Sequence, residues 1–140
     1  MYKLSKRSVK HLEGVNPLLI KIVKEAIKGS PYDFGIPKTG GKRSAELQNE
    51  LFNQKKSKCD GYKKKSYHQS GNAFDIYAYV DGKASWKREH LVMIGQHILK
   101  VAREKFNTNL RWGADWDQDG VFVWDDKDEN FADAPHFELR

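Results

Sequence analysis

From Ala73 to Val80 the chain alternates with a period of two, placing Phe74, Ile76, Ala78 and Val80 on one face and Asp75, Tyr77 and Tyr79 on the other before Asp81-Gly82 turns it. Such a segment is stable only as a strand with one face in a core, so it demands partner strands and an apolar cover. Candidate partners come late, at Leu110 to Trp112, Val121 to Trp124 and His136 to Leu139. The cover comes from helices. Asn16 as N-cap, Pro17 at the first helical position, apolar residues at Leu18, Leu19, Ile22, Val23 and Ala26, and Gly29 as terminator predict one amphipathic helix. A second is expected from Ser44 to Gln54, with Arg43 at its N-terminal edge. A third, long one is capped by Ser85 and runs to about Phe106, with Trp86, His90, Met93, His97 and Val101 on one stripe and Ile94, Ile98 and Ala102 widening it. His90 and His97 read as packing residues. The expectation is an α+β fold, a small antiparallel sheet with packed helices.

A length of 140 residues accommodates one domain, residues 1–140, with its own core. One cysteine, Cys59, cannot form an internal disulfide, so stability rests on the core and on any bound metal. No apolar run, Leu18 to Ile20 included, approaches the length of a membrane span, and the basic start Met1 to Lys10 leads into no apolar signal segment, so neither membrane insertion nor signal-directed export is expected. Charge is uneven: residues 1–70 carry 16 Lys and Arg against 6 Asp and Glu, and residues 71–140 carry 9 against 13. A basic half suits polyanions in general, whether nucleic acid, anionic lipid or wall polymer. The run from Lys55 to Lys65, with Asp60-Gly61 and no apolar period, reads as a solvated loop.

Chemistry concentrates in two segments. Ser66-Tyr67-His68-Gln69-Ser70-Gly71-Asn72-Ala73-Phe74-Asp75 brings an imidazole and a carboxylate to the start of the alternating strand. Zinc accepts both ligand types, and catalytic sites use three protein ligands with an open fourth position. Asp133-Ala134-Pro135-His136-Phe137-Glu138-Leu139 offers the third: strand alternation puts His136 and Glu138 on one face and Phe137 and Leu139 on the other. Asp133, expected on the loop before that strand, is placed to serve a water as general base without being a ligand. Tyr32, Tyr77, Trp112, Trp116 and Trp124 read as core or cleft-wall aromatics.

The His-x6-Asp and Asp-x-x-His segments together resemble the zinc peptidases of the D-Ala-D-Ala carboxypeptidase type, which include phage endolysins that cut the L-alanyl-D-glutamate bond. The most specific match is Ser66-x-His68-x-x-Gly71-x-Ala73-x-Asp75. Ser30-Pro31-Tyr32-Asp33-Phe34 is similar to the family's early strand entry, Arg43-Ser44 with Gln48 to its helix start, and Arg111 to Trp116 to its Gly-rich segment. The resemblance implies the Hedgehog/D-Ala-D-Ala-peptidase-like fold, zinc ligands His68, Asp75 and His136, Asp133 as base, Arg43 orienting substrate or stabilising the oxyanion, and Ser66 and Gln48 as further substrate-binding residues. Many carboxypeptidases of the family have Glu where this chain has Asp133. The endolysin branch uses Asp, which favours an endopeptidase acting on peptidoglycan as a monomer, made in the host cytoplasm and reaching the wall through a membrane lesion. The implied reaction is metal-assisted hydrolysis, with Asp133 moving the proton from water to the leaving amine.

Asp115, Asp117, Asp119, the Val121 carbonyl and Asp126 match the ligand positions of a calcium loop, with Asp where a bidentate Glu belongs; an acidic solvated turn is the alternative. Cys59 in its Lys-rich loop lacks a partnered base and is not expected to be a nucleophile. Two other functions fit less well: a D,D-carboxypeptidase on the same fold, and a non-catalytic basic protein binding wall polymer or nucleic acid. The second has no use for Asp133.

Overall fold

The computed structural model describes residues 1–114 and 133–139, with the side chain of Asp133 outside the described part. Four helices occur among these residues: α1 (Lys6–His11), α2 (Pro17–Lys28), α3 (Ala45–Asn53) and α4 (Arg88–Phe106). The strands are β1 (Asp33–Gly35), β2 (Ala73–Asp75), β3 (Tyr77–Val80), β4 (Lys83–Ser85), β5 (Arg111–Gly113) and β6 (Asp133–Glu138). They form two three-stranded antiparallel sheets, ordered β1-β3-β4 and β2-β6-β5. No helix among the described residues is long and apolar enough to cross a membrane.

Local capping explains the two earlier predicted helices. The Asn16 carboxamide accepts from the Leu18 amide at 2.9 Å, Pro17 occupies the first turn, and Leu19, Ile22, Val23, Ala26 and Ile27 are buried. Ser44 accepts from the Leu47 amide in the same way to start α3. The short α1 was not anticipated; Ser5 caps it by accepting from the Ser8 amide.

Three expectations change. The alternation from Ala73 to Val80 holds, with Phe74, Ile76 and Ala78 fully buried, but this is not one strand. It divides at Ile76, whose amide donates to the Pro135 carbonyl at 3.0 Å, and its two halves join different sheets. Periodicity fixes which face is apolar but not which neighbour supplies the hydrogen bonds. Ser85 closes β4 rather than capping α4; its hydroxyl hydrogen-bonds His90 Nδ1 at 2.7 Å, and α4 starts three residues later with no side-chain cap. The buried stripe of α4 is Leu91, Val92, Ile94, Gly95, Ile98, Val101 and Ala102, leaving Trp86 and Met93 about half exposed. The helix is rotated toward α2, β3 and β6, all of which it contacts. His90 and His97 do pack: His97 Nε2 lies 2.9 Å from the Ala26 carbonyl, and His90 leans on Tyr32.

The second sheet builds a two-faced platform. Trp112 and Phe74 flank Phe137 in register, with nearly parallel rings 5.9 Å and 5.1 Å from it, on the core side. Trp112 donates from its indole to the Ala134 carbonyl at 2.7 Å, spanning the register shift between Trp112 and Gly113. Because of that shift β6 begins at Asp133, paired with Gly113, so Asp133 opens the strand instead of preceding it. Pro135, which cannot donate to a ladder, sits in this irregular stretch.

α4 reaches the platform through Gly95. A Cβ there would lie 2.3 Å from the Trp112 ring, so the backbone of α4 rests directly on the indole. Helix propensity alone favours Gly95→Ala by about 1 kcal/mol. The clash reverses the sign, and the variant should lose about 1–3 kcal/mol of stability, read as a lower thermal midpoint in the metal-free protein.

Candidate active site

The face of the platform opposite the aromatic row carries Asp75, His136 and Glu138. Asp75 and His136 are direct partners across β2 and β6, so the ladder holds a carboxylate beside an imidazole before any side-chain contact forms. His68 arrives on the preceding turn. That turn is docked by the Asn16 amide donating to the Gly71 carbonyl at 2.8 Å and by the Arg43 amide donating to the His68 carbonyl at 3.0 Å. Gly71 has φ +79°, and a Cβ there would meet the Gly14 carbonyl at 2.7 Å, so close approach and backbone sign both require glycine.

The potential ligand atoms of His68, Asp75 and His136 lie within 4.8 Å of one another. Asp75 Oδ1 is 3.2 Å from His68 Nε2 and 3.0 Å from His136 Nδ1, and these two ring nitrogens are 3.2 Å apart. The far side of each ring fixes its tautomer. His68 Nδ1–H donates to the Gly41 carbonyl at 2.9 Å, and His136 Nε2–H donates to the Glu138 carboxylate at 2.8 Å. As neutral rings, both then turn lone pairs toward each other and toward Asp75. Three converging electron-rich atoms repel unless a proton or a metal cation lies between them, and the set of two nitrogens and one carboxylate oxygen is one that a divalent metal accepts. The three residues can therefore hold a metal ion.

Without a metal, protons on the inner ring nitrogens take the cation's place: burial alone would raise the Asp75 carboxyl, but the positive charge and hydrogen bonds of protonated His68 and His136 outweigh it and hold the group well below the usual carboxylate range. Its second oxygen accepts from Arg43 Nη2 at 3.2 Å. Arg43 is itself held, by Nε donating to the Thr39 carbonyl at 2.8 Å and Nη1 to the Gln48 carboxamide at 3.0 Å. Gln48 has no exposed surface, and its nitrogen donates to Ser57 Oγ and the Cys59 carbonyl, both at 2.8 Å. Gln48 thus meets Arg43 and the following loop from within the protein instead of facing solvent. Ser66 Oγ accepts from the His68 amide at 3.1 Å, shaping the turn that presents the first imidazole.

Two supporting groups were given no role from sequence, although Glu138 was placed on the face of His136. The Gly41 carbonyl has no side-chain signature. Glu138 does have one, its two-residue spacing from His136 on a strand. Glu138 is buried, and its other oxygen lies 3.7 Å from the Arg111 guanidinium, an ion pair longer than a hydrogen bond. A cleft of about 870 Å³ opens over the site, lined by Arg43, His68, Asp75, Arg111, His136 and Glu138 together with Tyr67, Trp86 and the Lys-rich loop. That loop is therefore a cleft wall, not merely a solvated excursion. Asp115, Asp117, Asp119, Val121 and Asp126 lie outside the described residues, as do Trp116, Trp124 and the strand expected at Val121 to Trp124.

A largely buried His-Asp-His cluster with anchored rings, on one face of a sheet and open to a cleft, has the donor set of a metal-dependent hydrolase. Residues 1–140 match the family model for phage L-alanyl-D-glutamate peptidases, and the chain belongs to that family. It is 31% identical over 138 residues to the L-alanyl-D-glutamate peptidase of Escherichia phage T5, covering 99% of this chain and 98% of that one. Among solved structures it is similar to the Serratia marcescens L-Ala D-Glu endopeptidase ChiX, with TM-score 0.78 and 26% identity over 99% of this chain and 90% of the other. The LD-carboxypeptidase LdcB shares the fold at TM-score 0.54 and 19% identity, covering 93% of this chain and 67% of its own.

Glu138→Gln removes the charge that orients His136 while keeping its volume. Metal affinity measured by chelator competition should fall about 10- to 100-fold, with the fold retained by circular dichroism.

Proposed function

We propose that this chain is a zinc-dependent peptidoglycan endopeptidase that hydrolyses the L-alanyl-D-glutamate bond of wall stem peptides. The observation that carries the reading is the convergence of His68 Nε2, Asp75 Oδ1 and His136 Nδ1, with both rings locked in the ligating tautomer, in a chain of this family. Nitrogen and carboxylate donors in a set of three favour zinc among common divalent ions. Bound there, zinc supplies a Lewis acid for the scissile carbonyl and lowers the pKa of water toward ~7.

The remaining steps belong to the chain. Asp133, three residues before His136, takes the proton from the attacking water and returns it to the leaving amine. Arg43 lines the cleft with its guanidinium fastened to Asp75, so it both fixes that ligand and brings positive charge near the carbonyl oxygen as negative charge develops. Gln48 positions Arg43, and Ser66 positions His68. Residues 1–140 act as one monomeric catalytic domain, and the phage T5 relative supports a role in lysis, with synthesis in the host cytoplasm and action at the wall.

His68→Ala, Asp75→Ala and His136→Ala should each lose zinc and activity together. Asp133→Asn should retain zinc yet lose about 10²- to 10⁴-fold in rate. Metal analysis and mass spectrometry of digested peptidoglycan read both. Fragments with new L-alanine carboxyl and D-glutamate amino termini are the expected products; release of terminal D-alanine alone would mean a D,D-carboxypeptidase, and full zinc content in all three alanine variants would falsify the ligand set.

A further inference from the structure

Two half-exposed aromatic rings stand in the walls of the cleft, Tyr67 at 41% and Trp86 at 53% exposure. Both are set on fixed backbone. Tyr67 immediately precedes His68, and its carbonyl accepts the Asn72 amide at 2.9 Å and the Ser70 hydroxyl at 3.0 Å. Trp86 lies between β4 and α4, where the Ser85 hydroxyl bonds His90 and accepts the Lys87 amide at 3.3 Å. Its indole is backed by the Tyr77 ring, with centroids 6.0 Å apart and planes tilted by 45°. Tyr77 is packed in turn against its strand partner Gly35, where a Cβ would fall 2.6 Å from the phenol oxygen, so the indole leans on a ring that the first sheet holds in place. The Lys-rich loop, fastened by the Asn49 carboxamide donating to the Asp60 carbonyl at 2.8 Å, lines the same cleft with lysines and short side chains and contributes no ring.

Single exposed apolar side chains are ordinary, but rings held rigid in the wall of a reactive cleft stand where a substrate must pass. In peptidoglycan the stem peptide hangs from the glycan strand by its L-alanine, whose nitrogen is acylated by the lactyl arm of a muramic acid. L-alanine and that arm, each about one residue long at ~3.3–3.6 Å, together span about 7 Å. An enzyme that cuts the L-alanyl-D-glutamate bond in intact wall therefore takes a sugar ring into or against its cleft. A volume of about 870 Å³ holds more than the two residues that flank the cut. Sugars present faces of C–H groups bounded by hydroxyls, which suits side chains that are apolar over the ring and polar at the tip, as Tyr and Trp both are.

We infer that Tyr67 and Trp86 form a subsite for the muramyl sugar on the L-alanine side of the cut, so that the enzyme reads the glycan attachment as well as the dipeptide it cleaves. This rests on the proposed bond specificity. The rings hold the sugar by apolar contact away from the reacting atoms, so the subsite acts on the capture of glycan-linked stems and not on the chemical step. The muramyl carboxyl is taken up in the amide link, which leaves the sugar uncharged. Its contribution therefore persists at high salt, where charge-driven attraction to the wall fades.

The test uses zinc-loaded enzyme and two soluble substrates carrying the same stem peptide, one linked to N-acetylmuramic acid and one capped by the lactyl group alone. Wild type should show a KM about three- to tenfold lower on the sugar-linked peptide, with similar kcat and a ratio that holds as salt rises. Trp86→Ala and Tyr67→Ala should each shrink that ratio without loss of zinc, and Trp86→Phe, which keeps a ring, should restore most of it. Independently of turnover, N-acetylmuramyl-L-alanine should shift the Trp86 indole N–H resonance, identified by its disappearance in Trp86→Phe, and lactyl-L-alanine should leave it in place. Equal KM values for the two substrates in wild type, or an unchanged ratio in both alanine variants, would overturn the subsite while leaving the endopeptidase intact. A wild-type preference that follows the length of peptide after D-glutamate and not the sugar would give the rings to the peptide and overturn it too. Cleavage of neither substrate by wild type would sink the bond specificity and the subsite with it.

Discussion

The pairing of β2 with β6 is the contact on which the molecule's chemistry depends. Its register sets Asp75 against His136 and, one residue away on the opposite face, Phe74 against Phe137. The same backbone ladder thus stacks apolar rings into the core and presents polar ligands to the cleft. A slip of one residue would exchange the faces, burying the carboxylate and exposing the phenyl rings. The aromatic row of Phe74, Phe137 and Trp112 guards that register, and α4, pressed onto Trp112 at Gly95, backs the row.

Around this ladder the site is held by polar groups outside the candidate ligand set. The Gly41 carbonyl and Glu138 select the tautomers of His68 and His136, and Arg43 takes the Asp75 oxygen that the imidazoles do not use. Neighbouring segments share the work: residues 39–43 supply the Thr39 and Gly41 carbonyls and Arg43, and the Gly40 carbonyl accepts the Asp75 amide at 2.8 Å. Gly41 tolerates no side chain, since a Cβ would fall 2.0 Å from the His11 carbonyl. One threaded stretch with no regular structure of its own thereby orients two of the three ligands.

How much of this was legible in sequence depended on how local each cause is. Asn16-Pro17 and Ser44 announce α2 and α3 because a cap acts within one turn. The faces of residues 73–80 were readable from alternation, whereas the transfer between sheets at Ile76 was not, because it depends on the distant Pro135 carbonyl. Trp86 and Met93 misled the reading of α4, since hydrophobicity alone does not say which side of a helix its neighbours will cover. The metal-binding cluster was accessible through residue type and family resemblance, and Glu138 through its spacing from His136. The anchoring of the Lys-rich loop by Gln48 and Asn49 leaves no trace in composition: a run of lysines reads the same whether its backbone is fastened or free.

The sequence distance between the ligands carries a kinetic meaning. His68 and Asp75 are near neighbours along the chain, while His136 stands 61 residues beyond Asp75. Before β6 docks, the chain holds only one imidazole and one carboxylate of the proposed set of three, fewer than a catalytic zinc site uses. Non-local strand pairing is slow because the loop-closure entropy comes due before the contacts form. On the ligand set proposed above, a complete metal site therefore exists only once β6 has closed onto β2, and a chain that stalls before that closure lacks the means to cut peptide bonds, its neighbours' and its own alike.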